Sequence, residues 1–164
     1  MLIIFAALLG GGIFLAQRIL YARWWNRGVN VTLQFEKEMV RAGESVKLSE
    51  IVENYKRLPL SSLKVKFQCS RYLVFTDCQN GMVTDKYYRN DLFTVMPYQR
   101  ITRTHQITCP RRGYYGIEGI DLVGADLFFS EELTAERESG AFLYVAPKIL
   151  SRQEIAPAFK NKRR

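Results

Sequence analysis

The sequence has few of the residues from which metal and catalytic sites are usually built. It contains one histidine, His105, and three cysteines, Cys69, Cys78 and Cys109, with no Cys-x-x-Cys pair. A single imidazole and widely spaced thiols do not form the ligand set of a structural zinc site, and an odd number of cysteines excludes a complete disulfide framework. We therefore expect reduced and mostly buried thiols, as in a cytosolic protein, and no metal or cofactor.

The motifs of common enzyme classes are also missing from the sequence. It has no Gly-x-Ser-x-Gly elbow, no phosphate-binding loop, no Gly-x-Gly-x-x-Gly and no calcium-loop spacing of acidic residues. His105 falls in the middle of a predicted strand on a mainly apolar face, where a histidine is more often a hydrogen-bonded structural residue than a catalytic base. We predict a protein that is not an enzyme, with no catalytic residues.

The formal net charge of +8 is confined to the two ends of the chain. Residues 1–27 carry three arginines, residues 28–147 carry fifteen basic and fifteen acidic side chains, and residues 148–164 carry six basic residues and Glu154. A neutral body lacks the basic face that nucleic-acid binding requires. Basic ends suit anionic lipid headgroups instead, so we predict membrane lipid, and no nucleic acid, as a partner.

The N-terminal segment is long and apolar enough to form a membrane helix. Leu2 to Tyr21 covers twenty residues, with Gln17 and Arg18 as its strongly polar members. A helix of this length, at about 1.5 Å per residue, spans the roughly 30 Å of a bilayer core. Arg18 lies near the end of the segment, where it can snorkel to the interface, and two tryptophans follow at the position of an aromatic belt. The predicted anchor residues are Leu2, Ile3, Phe5, Leu9, Phe14, Leu20, Trp24 and Trp25.

The flanking charges predict the direction of this anchor. No lysine or arginine precedes the apolar run, whereas Arg18, Arg23 and Arg27 lie at its far end. The positive-inside rule then places the C-terminal side in the cytoplasm. A cleaved secretory signal would need a basic region before the apolar run and a small-residue cleavage site, and both are missing. We predict a retained single-pass anchor in the plasma membrane with a cytoplasmic body.

Beyond the anchor, the apolar residues repeat with a period of two. Residues 29–35 and 63–69 alternate between apolar and polar side chains, which is typical of half-buried strands. Residues 98–109 predict the longest strand, and the charged residues 131–139 predict an exposed loop or a helical turn. About seven to nine short strands predict an all-β fold, an antiparallel β-sandwich of the immunoglobulin or fibronectin type.

The composition divides the chain into three predicted parts. Residues 1–27 form the transmembrane anchor with its basic juxtamembrane segment, residues 28–147 form the β-sandwich domain, and residues 148–164 form a basic tail or linker.

One turn of the body has the composition of an interface. Arg111, Arg112, Tyr114 and Tyr115 surround Gly113, and arginine and tyrosine are enriched at binding hot spots. The alternative is structural: Gly113 supplies the turn, one tyrosine packs and the arginines are solvated. The sequence leaves both interpretations open.

Several short motifs occur in the body over roughly residues 29–150. They are Gly43-Glu44-Ser45-Val46-Lys47-Leu48, Val52-Glu53-Asn54, Leu58-Pro59-Leu60, Leu63-Lys64-Val65, Pro97-Tyr98-Gln99-Arg100-Ile101, Cys109-Pro110-Arg111-Arg112-Gly113-Tyr114-Tyr115, Asp126-Leu127-Phe128-Phe129 and Tyr144-Val145-Ala146-Pro147. In these motifs the chain resembles the N-terminal region of bacterial membrane proteins of the domain of unknown function 58 family, which are partners of MoxR-type AAA+ ATPases. Ala125-Asp126-Leu127 lacks the proline that often follows this aspartate in the family. The sequence also lacks the Asp-x-Ser-x-Ser motif of the family's von Willebrand factor A-like domain, so no metal site is carried over.

The resemblance implies a membrane-tethered accessory module that forms the N-terminal part of a longer protein. We predict a non-catalytic cytoplasmic scaffold or interaction module whose partner is a MoxR-type ATPase or a downstream von Willebrand factor A-like domain. The alternative is an extracytoplasmic immunoglobulin-like binding domain held by the same helix. That alternative requires the arginines after the anchor to cross the membrane, and labelling of Cys78 with an impermeant maleimide would distinguish the two topologies.

Overall fold

A computed structural model describes residues 1–77, 81–83 and 86–149 of the chain. These residues form one long N-terminal helix followed by strands. The elements are α1 (Leu2–Trp24), β1 (Val29–Phe35), β2 (Met39–Arg41), β3 (Ser45–Asn54), β4 (Leu60–Ser70), β5 (Val74–Phe75), β6 (Gly81–Val83), β7 (Lys86–Val95), β8 (Arg100–Thr108), β9 (Gly113–Ala125) and β10 (Glu132–Ala146).

The strands form two sheets that face each other. One sheet has the order β1-β3-β8-β5, and the other has the order β2-β10-β9-β4-β7-β6. All neighbouring strands are antiparallel except β2, which pairs in parallel with the end of β10. Alternate residues of each strand point into the space between the sheets, as the period of two requires. The predicted β-sandwich preceded by one apolar helix is confirmed.

The stretch predicted as an exposed loop or helical turn is part of the longest strand. β10 begins at Glu132 and pairs with β9 along its whole length, with a change of register between Glu138 and Ala141. The first half of β10 lies at the edge of the sheet, because β2 reaches only its last residues. Leu133 and Ala135 are therefore only partly buried. A strand with such a weak apolar face gives little periodicity, so the sequence-based prediction for 131–139 is wrong.

The buried thiols agree with the sequence-based expectation where the structure describes them. Cys69 lies on the inner face of β4, and Cys109 follows β8; both are buried and unbonded to another cysteine. Burial raises the pKa of Cys69 to about 12 and that of Cys109 to about 11, so both thiols are unreactive at neutral pH. The prediction for Cys78, and most of the predicted tail at 148–164, lie outside the described residues.

Candidate functional site

The C-terminal end of α1 is docked into the β-sandwich. The indole of Trp25 is 5% exposed and packs against Gly124 of β9. A Cβ atom at position 124 would lie 2.5 Å from Cε3 of this indole, so only glycine leaves room for the ring. The predicted place of Trp25 in an aromatic belt is therefore wrong, because its ring is enclosed by protein. Trp24 is exposed, as an interfacial tryptophan would be.

Two side chains bind the last turns of the helix to the connection before β4. The hydroxyl of Tyr21 donates to the carbonyl of Pro59 at 2.8 Å. The ammonium of Lys56 donates to the carbonyls of Trp24, at 3.0 Å, and Trp25. A cation at this place satisfies carbonyls that the helix leaves unpaired and complements the helix dipole. Burial lowers the pKa of Lys56 to about 8.

A polar contact one turn earlier joins α1 to the β9–β10 connection. Gln17 is buried and its amide donates to Oδ2 of Asp126 at 3.0 Å. The next residue of the helix, Arg18, forms an ion pair with Glu131 at 2.9 Å. We call the set of Gln17, Tyr21 and Trp25 with their partners the anchor junction. It fixes the C-terminal end of the helix to the body through residues that are four positions apart.

Asp126 organises the connection that it belongs to, residues 126–130, which we call the Asp126 turn. Its carboxylate accepts from the Ser130 backbone amide at 2.6 Å, from the Ser130 hydroxyl and from the Glu131 amide at 3.4 Å. Burial raises the pKa of Asp126, but the hydrogen bonds from Ser130, Gln17 and the backbone outweigh this effect and lower it to about 2. Asp126 is therefore a carboxylate at physiological pH.

The tip of the Asp126 turn carries three consecutive large apolar residues. Leu127, Phe128 and Phe129 are 43%, 60% and 66% exposed. The backbone of Phe129 has a φ of 56°, a conformation that bulky residues rarely adopt. The ring of Phe128 lies 5.8 Å from the ring of Phe14 in α1. The exposed apolar surface of the turn thus continues that of the helix.

The other predicted anchor residues all lie on the exposed surface of α1. This helix is the one described helix that is long and apolar enough to cross a membrane, and its residues before Gln17 are exposed. The exposed predicted residues are Leu2, Ile3, Phe5, Leu9, Phe14, Leu20 and Trp24.

The predicted interface turn lies at the start of β9, at the other end of the strand from the Asp126 turn. Its two tyrosines differ in their exposure. Tyr114 is exposed, whereas Tyr115 is buried and its hydroxyl donates to the carbonyl of Arg111 at 2.9 Å. The ring of Tyr115 therefore packs against the core, as the structural interpretation requires of one tyrosine, and the interface role of this turn stays a prediction. Arg111 stacks over the ring of Tyr72, with 4.5 Å between the guanidinium carbon and the ring centre.

A groove opens beside this turn because two neighbouring strands separate. β4 pairs with β9 only from Leu63 to Phe67, and beyond Ile120 the first half of β9 pairs with β10 alone. The separated ends leave a groove that is lined by polar and aromatic side chains. Its lining includes Gln68, Ser70, Tyr72, Lys86, Arg112, Tyr114, Glu118 and Asp121. Three of the residues predicted as an interface, Arg112, Tyr114 and Tyr115, also line it. We call it the β4–β9 groove.

A buried charge cluster lies between the two sheets. Nε2 of His105 is 3.3 Å from Oε2 of Glu50 and 3.7 Å from Oδ2 of Asp91. Asp91 also accepts from Nε of Arg89 and, at 3.0 Å, from Nη1 of Arg103. Oε1 of Glu50 is buried and has no hydrogen-bond partner among the described residues. Burial raises the pKa of Glu50, and the hydrogen bond from His105 only partly opposes this.

The charge cluster has metal-ligating atoms but an unfavourable charge for a cation. Atoms of Glu50, Asp91 and His105 lie within 4.8 Å of one another. Two guanidinium groups already bind Asp91, and their positive charge would oppose a metal ion at this distance. The cluster is therefore best explained as an internal ion network. The sequence suggested that His105 is a hydrogen-bonded structural residue, and in this network it forms a hydrogen bond with Glu50.

Sequence reasoning missed the partners of the anchor and of His105. The period of two places Glu50, Arg89 and Asp91 on the inner faces of their strands. The period does not show that these three side chains contact one another. Gln17 offered the one signal for the junction, because a polar side chain in an apolar helix needs a partner wherever it is buried. Its partner, Asp126, is 109 residues away in sequence.

Comparison with known proteins concerns the fold. No family model and no curated protein matches the chain. Among solved structures, the CARDB domain of a Pyrococcus furiosus protein, in complex with di-metal ions, shares 14% identity over 73% of this chain and 96% of its own, with a TM-score of 0.44. A non-cellulosomal cohesin from Archaeoglobus fulgidus shares 14% over 79% and 97%, with a TM-score of 0.38. A type I cohesin–dockerin complex from Clostridium thermocellum contains a chain with 10% identity over 71% and 99%, and a TM-score of 0.44.

Proposed function

We propose that the chain is a non-catalytic, membrane-anchored β-sandwich that holds a protein partner at the cytoplasmic face of a bacterial membrane. The observation that carries this proposal is the anchor junction. Three successive turns of α1 are fixed to the body through Gln17, Tyr21 and Trp25. A helix attached in this way sets the orientation of the body relative to the membrane, which a flexible linker would not do.

The direction of the anchor follows from its charges. Arg18, Arg23 and Arg27 all lie at the end of α1 that joins the body. Arg23 is in the last turn of the helix, where it also complements the helix dipole. By the positive-inside rule, these charges support a cytoplasmic position for this end and for the body that follows it.

The β4–β9 groove is the surface that we assign to the partner. Its rim presents Tyr114 and Arg112, and tyrosine and arginine dominate the energetics of protein interfaces. It lies at the end of β9 far from the anchor junction, so membrane attachment leaves it accessible. The resemblance to the domain of unknown function 58 family makes a MoxR-type AAA+ ATPase the partner to test first, and a downstream von Willebrand factor A-like domain the second.

Binding of the ATPase to the full chain tests this function. The chain is reconstituted in nanodiscs of phosphatidylethanolamine and phosphatidylglycerol, and the Kd for a purified MoxR-type ATPase from the same genome is measured in the presence of ATP. We expect Tyr114→Ala and Arg112→Ala each to weaken binding about tenfold or more, the usual effect of truncating a hot-spot residue.

Tyr98→Ala is the matched control for Tyr114→Ala. Tyr98 and Tyr114 are both 67% exposed, but Tyr98 lies in the turn before β8 and outside the groove. Its truncation should leave the Kd unchanged. Absence of binding, or equal loss with the two tyrosine variants, would contradict the proposed partner or the proposed surface.

A further inference from the structure

The Asp126 turn carries an apolar surface that the body does not cover. Leu127, Phe128 and Phe129 are consecutive and all exposed, whereas isolated exposed apolar residues are the rule on protein surfaces. The carboxylate of Asp126 holds the turn in shape through Ser130 and Glu131, and Phe129 adopts a left-handed backbone conformation. Such an outlier, in a turn held by hydrogen bonds to Asp126, indicates that the display of these side chains has a role.

The position of the turn relative to α1 indicates what covers this surface. Phe128 contacts Phe14, a residue near the C-terminal end of the apolar, uncharged part of the helix. Phe14 precedes Arg18 by four residues, which corresponds to about 6 Å along the helix axis. Any environment that surrounds Phe14 therefore surrounds Phe128 as well.

The charged groups of the same region mark the level of the membrane surface. Arg18 and Glu131 form an ion pair at the point where the turn ends, and Lys64 and Glu132 form another beside it. With these pairs at the level of the headgroups, Phe14 and Phe128 lie about 6 Å deeper. This agrees with the 5–10 Å by which interfacial apolar segments enter a bilayer.

We propose that the Asp126 turn inserts Leu127, Phe128 and Phe129 into the lipid bilayer beside α1, as a second and shallow membrane contact. A body that is fixed to one helix can still tilt together with that helix relative to the plane of the bilayer. A second contact, off the helix axis, restricts this tilt and holds the side of the sandwich that carries the turn against the membrane. The inference deepens the proposed anchoring function but does not depend on the identity of any protein partner.

Depth measurement on the full chain in liposomes tests this inference. Single cysteines are introduced in a Cys78→Ser background, in which the two remaining native thiols are buried. A fluorescent label at Phe128→Cys is compared with labels at Leu9→Cys, in the middle of the uncharged part of α1, and at Met39→Cys. Met39 pairs with Tyr144, twelve residues along β10 from Glu132, which is roughly 40 Å from the turn.

Each label is exposed in turn to lipids with a nitroxide near the headgroup, to lipids with a nitroxide deep in the acyl chain, and to aqueous iodide. We expect strong quenching of the Phe128→Cys label by the shallow nitroxide, with at least a threefold lower iodide quenching constant than at Met39→Cys. The Leu9→Cys label should be quenched most by the deep nitroxide.

The remaining outcomes overturn the inference in distinguishable ways. Equal iodide quenching at positions 128 and 39, with position 9 still deep, means that the helix is inserted and the turn is not. A label at 128 that is shielded from iodide and from both lipid quenchers means that a protein covers the turn. A label at 9 that is open to iodide refutes the inserted anchor and the turn together. None of these outcomes bears on binding of the ATPase, which is measured separately.

Discussion

Glu50 is the residue whose protonation should be most visible in the stability of the fold. Burial raises the pKa of its carboxyl above the value in the unfolded chain, about 4.3. The folded state therefore binds this proton more tightly, and the associated stability is fully present below the unfolded pKa and lost as the pH rises through the folded pKa. We expect the free energy of unfolding to decline over this interval in the wild-type chain.

The variant Glu50→Gln should lack that decline, because glutamine does not titrate. Urea unfolding of the full chain in detergent micelles, followed by tryptophan fluorescence from pH 4 to pH 8, measures the difference. Glu118→Gln, at an exposed position of β9, is the control and should keep the wild-type profile. An identical decline in Glu50→Gln would show that another group causes it.

Substitution of Gly124 tests whether Trp25, at the end of the anchor, packs against the sandwich. Its replacement by alanine would place Cβ 2.5 Å from the ring of Trp25, so the indole would have to move. We expect Gly124→Ala to lower the free energy of unfolding by about 1–3 kcal/mol, as overpacking does, and to red-shift the tryptophan emission. Gly116→Ala on the same strand meets only a side-chain atom of Tyr114 at 3.9 Å and should change neither quantity. Equal effects of the two variants would contradict the packing of Trp25.

At the scale of elements, the Asp126 turn depends on a single carboxylate. Asp126→Ala removes the acceptor of the amides of Ser130 and Glu131 and of the buried side chain of Gln17. We expect a cost of about 1–3 kcal/mol, since the buried amide of Gln17 is left unpaired. Hydrogen exchange of the two amides should accelerate, whereas Asp121→Ala, on the exposed face of β9, should leave it unchanged. Unaltered exchange in Asp126→Ala would contradict this account of the turn.

The same carboxylate predicts a pH dependence of the opposite sign to that of Glu50. The folded pKa of Asp126, about 2, lies below the unfolded value of about 3.9. The stability that Asp126 contributes is therefore present above pH 4 and lost as the pH falls towards 2. Protection of the Ser130 amide should fall over this interval in the wild-type chain and show no such step in Asp126→Asn. Constant protection in the wild-type chain would mean that the carboxylate does not hold the turn.

The elements differed in how far their sequences revealed them. The anchor could be predicted from its uninterrupted apolar run, because the whole surface of the helix is apolar before Gln17. β1 could be predicted from its strict alternation, because one face of the strand is apolar along its whole length. β10 could not be predicted in this way, since its first half lies at a sheet edge and Leu133 is its one large apolar residue. The Asp126 turn connects β9 to β10 and brings the two strands together. The periodicity of the sequence does not show this pairing.

At the scale of the whole molecule, the sandwich and its anchor could be predicted, but the way they are joined could not. Burial of Trp25 and Gln17 depends on residues about 100 positions later in the chain, Gly124 and Asp126. Periodicity reports on the faces of single elements, and a contact between distant elements leaves no trace in it. The same holds for the β4–β9 groove. The composition of the sequence indicated Arg112 and Tyr114, but only the structure shows that β4 and β9 separate there and form a groove.

We propose that α1 holds the body at the cytoplasmic face, and labelling of Met39→Cys in the Cys78→Ser background measures this topology. Met39 is exposed and remote from the anchor junction, so a membrane-impermeant maleimide reaches it wherever the body is accessible. The account predicts no labelling in intact cells and full labelling in inverted membrane vesicles. Full labelling in intact cells would place the body outside the cytoplasm and contradict the account.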